Sequence, residues 1–246
     1  MSEIALITGA AGGLGQAVAR RLAGEGWSLI VAGRSAERLA SVYGASHLQI
    51  EADCSTVEGA RRILEMAREH GQTPTRLAHC VGNIRLGALH RMKESDFLDC
   101  LNANLISAFH TLAAFVGALR EAGLPGAAVL VSSAAARIGT PNHEAVAAAK
   151  AGVEGLSRAA AATYAPNGIR INAVAPGIMD TPATAGLLGS AALREMAARQ
   201  YPLPGIGEPD ELANLMAWLL SEQAARVTGQ VWSLDGGFSA IRPLVK

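Results

Sequence analysis

The 246-residue sequence predicts an α/β fold: a doubly wound parallel sheet of seven strands with helices on both faces, in one domain spanning residues 1–246. Three observations carry that expectation. Apolar runs of strand length alternate with helical periodicities along the whole chain. The strand runs are apolar throughout rather than alternating, as expected where a parallel sheet is buried on both faces. The first of them, Ile4 to Thr8, opens directly into Gly9-Ala10-Ala11-Gly12-Gly13-Leu14-Gly15, with a helical pattern behind it.

Ile4, Leu6 and Ile7 make the first strand, and Val18, Leu22 and Ala23 fall at helical spacing in a helix reaching Glu25. Gly9 permits a tight exit from the strand, Gly13 lets backbone approach a pyrophosphate, and Gly15 allows the helix to lie close on the sheet. The helix start presents unpaired N–H groups and the positive end of its dipole to a phosphate. Leu29 to Ala32 is the second strand, followed by Gly33-Arg34-Ser35 and a short helix from Ala36. Leu48 to Glu51 is the third, ending at Asp53, and Val57 to His70 is amphipathic with Ile63, Leu64 and Ala67 inward. Leu77 to Val81 is the fourth strand, ending at Gly82; a long helix from Ser95 to Glu121 then leads to the fifth, Ala127 to Ser132. A helix rich in Ala and Gly, Glu144 to Tyr164, precedes the sixth strand, Arg170 to Val174, closed by Pro176-Gly177. Residues 179–204 form an excursion punctuated by Gly and Pro, with one helical stretch from Ala191 to Gln200. Pro209 to Leu220 is the last helix, marked by Pro at its start and acids in its first turn, and Gln230 to Leu234 is the seventh strand.

Composition narrows the function. Lys+Arg 21 against Asp+Glu 21 leaves no net charge and no basic run, so nucleic acid and anionic membranes are not expected partners. The three cysteines, Cys54, Cys80 and Cys100, are odd in number and lack Cys-x-x-Cys spacing, which reads as reduced thiols in a cytoplasmic protein. Cys80 ends a strand and reads as a buried structural thiol, the alternative being a nucleophile. Met1-Ser2-Glu3 enters the first strand without a basic leader, and no secretion signal or spanning segment is expected. The six histidines have no metal-ligand spacing, so no metal is expected.

Ligands of such sheets sit at the carboxyl ends of the strands, where Gly9, Arg34, Asp53, Gly82, Ser132, Ser133 and Pro176-Gly177 fall. In order and spacing, these residues resemble the short-chain dehydrogenase/reductase family over essentially the whole chain. Thr8-Gly9-x-x-x-Gly13-Leu14-Gly15 is similar to its cofactor loop, Asn104 to its helix asparagine, Ser133 to its substrate serine and Lys150 to its lysine. Pro176-Gly177 with Thr181 resembles its nicotinamide-side loop, Asp53-Cys54 its adenine-contacting pair, the alternative being that Asp53 only caps the next helix, and Asp235-Gly236-Gly237 its ending. The resemblance implies a Rossmann-type sheet in the order 3-2-1-4-5-6-7, a nicotinamide cofactor and a homotetramer or homodimer built on the two long helices. The Ala/Gly face Ala145, Ala148, Ala149, Gly152 and Gly155 would serve either that interface or packing on its own sheet.

The chain departs from the family pattern twice. Where the family has Asn-Asn-Ala-Gly after the fourth strand, His79-Cys80-Val81-Gly82 keeps only the glycine. The family tyrosine, four residues before the lysine, is Val146 here, and the next tyrosine, Tyr164, lies at the far end of the helix. In the family, that tyrosine donates a proton to the carbonyl oxygen while hydride arrives from the nicotinamide, the serine bonds that oxygen, and the lysine binds ribose and lowers the tyrosine's pKa. General acid catalysis is typically worth about 10²–10⁴-fold, whereas positioning can supply about 7–11 kcal/mol, so chemistry with another donor is expected. His143, three residues before Val146, is one candidate donor; the alternative is that Asn142-His143-Glu144 only caps the helix. A water held by Lys150 is another, and a conjugated acceptor, whose delocalised anion solvent can protonate, needs none.

A 2′-OH-binding acid is absent after the second strand, and Gly33-Arg34-Ser35 suits the 2′-phosphate of NADP(H) over NAD(H), the alternative being a solvated Arg at a helix start. Gly12 stands where many NADPH members carry a basic residue. Leu187, Leu188, Met196 and Tyr201 of the excursion suggest a small apolar substrate, or packing on the body, and Phe238 to Val245 could reach a neighbouring subunit. The rival function is a nucleotide-binding or assembly protein that keeps the fold without the chemistry.

Overall fold

The computed structural model describes residues 3–242. Strands β1 (Ile4–Thr8), β2 (Ser28–Gly33), β3 (Leu48–Glu51), β4 (Arg76–His79), β5 (Gly126–Val131), β6 (Ile169–Pro176) and β7 (Val231–Leu234) form one sheet in the order β3-β2-β1-β4-β5-β6-β7. Every pairing is parallel, with Thr8 level with Ala32 on one side and His79 on the other. The connecting helices are α1 (Gly13–Gly24), α2 (Ala36–Tyr43), α3 (Val57–Glu69), α4 (Glu94–Leu101), α5 (Ser107–Ala122), α6 (Glu144–Tyr164), α7 (Ala191–Ala198) and α8 (Pro209–Leu220).

Alternation of side chains along each strand splits the core in two. On one face, Ala5, Ile7, Val31 and Val129 meet Val18 and Leu22 of α1 and Leu212 and Met216 of α8. On the other, Leu6, Ile30, Leu77 and Leu130 meet Ile63 of α3, Phe115 and Leu119 of α5 and Val153 of α6. Two-sided burial is the physical reason the strand runs read as continuously apolar.

Boundaries shift at several places. The fourth strand ends at His79, and the excursion helix at Ala198. The expected helix from Ser95 to Glu121 begins at Glu94 and is interrupted by a π-helical turn at Asn102–Ile106. There the Ser107 amide reaches back to Asn102, and the Ser107 hydroxyl donates to the Ala103 carbonyl at 2.7 Å. The stretch Glu94–Ala122 is long and apolar enough to cross a membrane by length and composition, but here Leu112, Phe115 and Leu119 pack on the sheet.

The excursion is held together by Thr184, whose hydroxyl donates to the Met179 carbonyl at 2.5 Å, and by an Arg194–Asp180 ion pair; the Leu203 N–H, donating to the Gly236 carbonyl at 2.9 Å, ties it to the body. Of the tail segment from Phe238 to Val245, residues 243–245 lie outside the described residues; the Phe238 ring packs on Tyr201 at 5.1 Å.

Candidate active site

The glycine turn links β1 to α1 at the carboxyl edge of the sheet. Gly9 has φ +68°, and a Cβ there would lie 2.8 Å from the Cys80 carbonyl, so only glycine fits. At Gly15 the close neighbour is the turn itself, with a Cβ meeting the Gly9 oxygen at 2.4 Å; the need is for turn closure rather than for helix on sheet. Gly12, the N-cap, offers no side-chain acceptor, which leaves the first-turn N–H groups of Gly13 and Leu14 for an anion. A Cβ at Gly13 would meet Pro182 at 3.0 Å and Thr181 at 3.2 Å, so the excursion returns over the turn and sets Thr181 against it.

Asn104, Gly82 and Lys150 converge behind this edge. The π-helical turn carries Asn104, which is buried; its Nδ2 donates to the Cys100 carbonyl at 2.8 Å and to Asn83 at 3.1 Å. Its Oδ1 has no protein partner and lies over Gly82, where a Cβ would meet it at 2.6 Å. The same Cβ would come 3.4 Å from Lys150 Nζ, which donates to the Val131 carbonyl at 2.7 Å. Lys150 is 8% exposed, and burial lowers its pKa from 10.5 to about 8. Glycine at position 82 therefore leaves a space between an orphan acceptor and a buried amine.

Ser132 and Ser133 diverge after β5. Ser132 is buried and its hydroxyl donates to Glu154 at 3.0 Å, whereas Ser133 caps a short 3₁₀ turn, accepting from Ala135 N–H at 3.2 Å, and lines a cavity. That cavity, about 440 Å³, joins Gly13, Ser133, Val146 and Lys150 to apolar side chains of the excursion such as Leu187 and Met196. Val146 is buried with Cys100, Ala145 and Ala149, and offers only methyl groups to the cavity wall. His143 lines the same cavity, and its Nδ1 donates to the Pro141 carbonyl at 2.8 Å. It occupies the N-cap of α6 with Glu144 in the first turn, as the capping alternative expects, although its side chain makes no cap bond; Asn142, just before, has φ +63°.

The adenosine-side candidates stand apart from this cavity. Arg34 and Asp53 are exposed at the ends of the second and third strands, close enough that Arg34 helps hold the Asp53 carboxyl below its usual range, together with the Ser55 amide and hydroxyl. Burial opposes that shift. Thr56, not Asp53, is the N-cap of α3. The Cys54 thiol is turned into the core, where burial raises its pKa to about 11, so any contact from this residue to a nucleotide comes from its main chain. Cys80 is likewise pushed up to about 12 by burial and is a neutral thiol rather than a nucleophile. Pro176-Gly177 and Thr181 line the cavity, and among the described residues no cluster of His, Cys, Asp or Glu could hold a metal.

Two arrangements went unread in the sequence. The Thr8 hydroxyl bonds His79 Nδ1 at 2.8 Å, and His79 Nε2 bonds the Ser107 hydroxyl at 3.2 Å. Because Ser107 donates onward to Ala103, His79 carries its hydrogen on Nε2 and accepts from Thr8, a neutral tautomer assigned from the network. Burial and the Lys150 charge lower its pKa to about 3. The departure at His79 thus braces the π-helical turn that holds Asn104. The signal was three polar residues, Thr8, His79 and Ser107, at otherwise buried positions. Secondly, Tyr201 lines the cavity, and its phenol oxygen accepts from Ile178 N–H at 2.7 Å. The α6 stripe also divides: Gly152 faces Leu105 within its own chain, with a Cβ meeting it at 2.7 Å, while Gly155 is open.

The geometry matches known proteins over nearly the whole chain. Residues 9–239 match a family model described as enoyl-(acyl carrier protein) reductase. The chain is 34% identical to an A-factor type gamma-butyrolactone 1′-reductase of Streptomyces virginiae, covering 97% of this chain and 96% of that protein. It is also 34% identical to the 3-oxoacyl-acyl-carrier-protein reductase FabG of Pseudomonas aeruginosa, covering 96% of each. A short-chain type dehydrogenase/reductase from Mycobacterium ulcerans superposes with a TM-score of 0.91 at 27% identity, over 98% of this chain and 92% of that one. Sheet order, glycine turn and whole-length similarity together make this chain a member of the short-chain dehydrogenase/reductase family of oxidoreductases.

Proposed function

We propose that the chain is an NADP(H)-dependent reductase of a carbonyl or conjugated acceptor on a small apolar molecule, with a proton donor other than tyrosine. The observation that carries this reading is the single cavity in which Ser133, Lys150 and His143 meet the glycine turn while Val146 replaces the phenol. Residues 1–246 then work as one domain, with residues 179–204 covering the substrate.

The N–H groups of Gly13 and Leu14 hold the pyrophosphate beside Gly9 and Gly15, and Arg34 pairs with the 2′-phosphate bidentately. Asp53 and the Cys54 main chain meet the adenine, while Gly82, Pro176, Gly177 and Thr181 border the nicotinamide end. When bound, the nicotinamide supplies or accepts the hydride. The Ser133 hydroxyl donates to the substrate oxygen as it gains negative charge. The doubly protonated ring of His143, oriented by its Nδ1–H bond to Pro141, gives up the Nε2 proton directly or through water and is left neutral with Nδ1–H in place. Lys150, cationic below about pH 8, attracts ribose hydroxyls and the developing oxyanion, and Asn104 presents Oδ1 to a water beside it. Leu187 and Met196 exclude solvent around an apolar substrate. Exposed Leu98 and Phe109 on the first long helix, α4 and α5, and the open Gly155 on the second, α6, support assembly of a cytoplasmic homodimer or homotetramer through the two long helices.

Fluorescence titration with NADPH and NADH, followed by turnover on apolar ketones, aldehydes and enones, tests the reading. Tighter NADPH binding is expected, with turnover that His143→Gln lowers by about 10²-fold or more at neutral pH. NADPH binding without turnover of any substrate, together with activity gained by Val146→Tyr, selects the rival function of a vestigial nucleotide-binding site.

A further inference from the structure

We propose that Lys150 is also a covalent capture site: its ε-amine forms a reversible imine with an apolar aldehyde bound in the cavity. The inference stands apart from the cofactor reading, because no nucleotide takes part.

Among the described residues no carboxylate pairs with this amine, which donates to the Val131 carbonyl at 2.7 Å. One N–H satisfied in this way leaves a neutral amine's lone pair free to face the cavity it lines. Val146, one turn earlier on α6, gives the wall no acid or phenol that would keep the nitrogen protonated. Desolvation favours the neutral amine further, bringing its pKa to about 8, and a desolvated lysine in an apolar pocket has the makings of an imine-forming nucleophile.

The step balances without a redox partner. Nitrogen attacks the carbonyl carbon, a C–N bond forms, and a proton passes from nitrogen to oxygen to give a carbinolamine. The C–O bond then breaks, water leaves with both hydrogens of the original amine, and a C=N bond remains. Ser133 and His143 line the same cavity and can carry the proton to the departing oxygen.

The chain has three lysines, Lys93, Lys150 and Lys246, which makes the site easy to test. The nucleotide-free protein is treated at pH 7 with hexanal and cyanoborohydride, which reduces an imine to a stable secondary amine but leaves a thiol adduct untouched. Peptide mapping then follows each lysine. Because the free-base fraction at pH 7 follows the pKa, alkylation of Lys150 on the order of 100-fold faster than of exposed Lys93 is expected. That preference should collapse when the same protein is unfolded in urea, and Lys150→Arg should remove the adduct while Lys93 still reacts. Equal or slower alkylation of Lys150 in the folded protein overturns the proposal. NADPH binding, measured separately by fluorescence, reports on the cofactor reading alone.

Discussion

Replacing Lys150 by methionine should stabilise the protein while weakening its hold on the nucleotide. The amine is buried, and its pKa falls from 10.5 to about 8 in the folded chain. A folded-state pKa below the unfolded one means that the unfolded chain binds more protons between those limits, so stability rises with pH across the window from about 8 to 10.5. Below that window the full penalty applies, about 3 kcal/mol at roughly 1.4 kcal/mol per pKa unit. Methionine, similar in length and apolar, removes the penalty but also the bond to Val131, which is worth about 1 kcal/mol. The net expectation at pH 7 is a gain of about 2 kcal/mol, or roughly 4–8 °C in Tm for a chain of this length. Urea unfolding without nucleotide, at fixed protein concentration and at pH 7 and pH 10.5, measures it. The advantage of Lys150→Met should vanish at the higher pH. A variant less stable than wild type at pH 7, or a difference that ignores pH, would refute the argument that this lysine is held at the expense of stability.

Val146→Tyr restores a phenol one turn before Lys150, and because His143 already supplies the proton, turnover of an apolar ketone should change by less than about tenfold, read from initial rates with NADPH. A rise of about 10²–10⁴-fold would mean that the wild-type site lacks an efficient acid and would remove His143 as the donor. Arg34→Ala should weaken NADPH by about tenfold or more and leave NADH nearly unaffected, as charge-assisted bonds to phosphate are worth about 1.5–3 kcal/mol; equal losses for both nucleotides would contradict the assignment. For His79 the folded pKa of about 3 lies below the ordinary 6.5, so its stabilising contribution is complete above pH 6.5 and is lost as pH falls toward 3. Between pH 7.5 and pH 5 wild type should lose about 2 kcal/mol more than His79→Asn in urea titrations; parallel slopes for the two proteins would remove His79 as the cause.

Strand and helix order, the glycine turn and the missing phenol four residues before Lys150 were legible because periodicity, φ demands and helical spacing act within a few residues. Local periodicity shows a single long helix, because its break at Asn102–Ile106 depends on Ser107, braced by His79, 28 positions away, which is in turn held by Thr8, another 71 positions off. The role of Gly13 could not be seen either, since Thr181 and Pro182 reach it only after the excursion folds back.

By itself, then, the amino-acid order determined the α/β architecture and which family residues are kept or lost, because those depend on hydrophobic pattern and short-range backbone geometry. Tertiary structure alone decided that His143 and Lys150 share a cavity with Ser133, that Cys54 and Cys80 are inert thiols, and that His79 is a neutral brace. Each of those outcomes depends on desolvation and on partners far apart in the chain, and neither quantity exists until the sheet and its helices have closed around them.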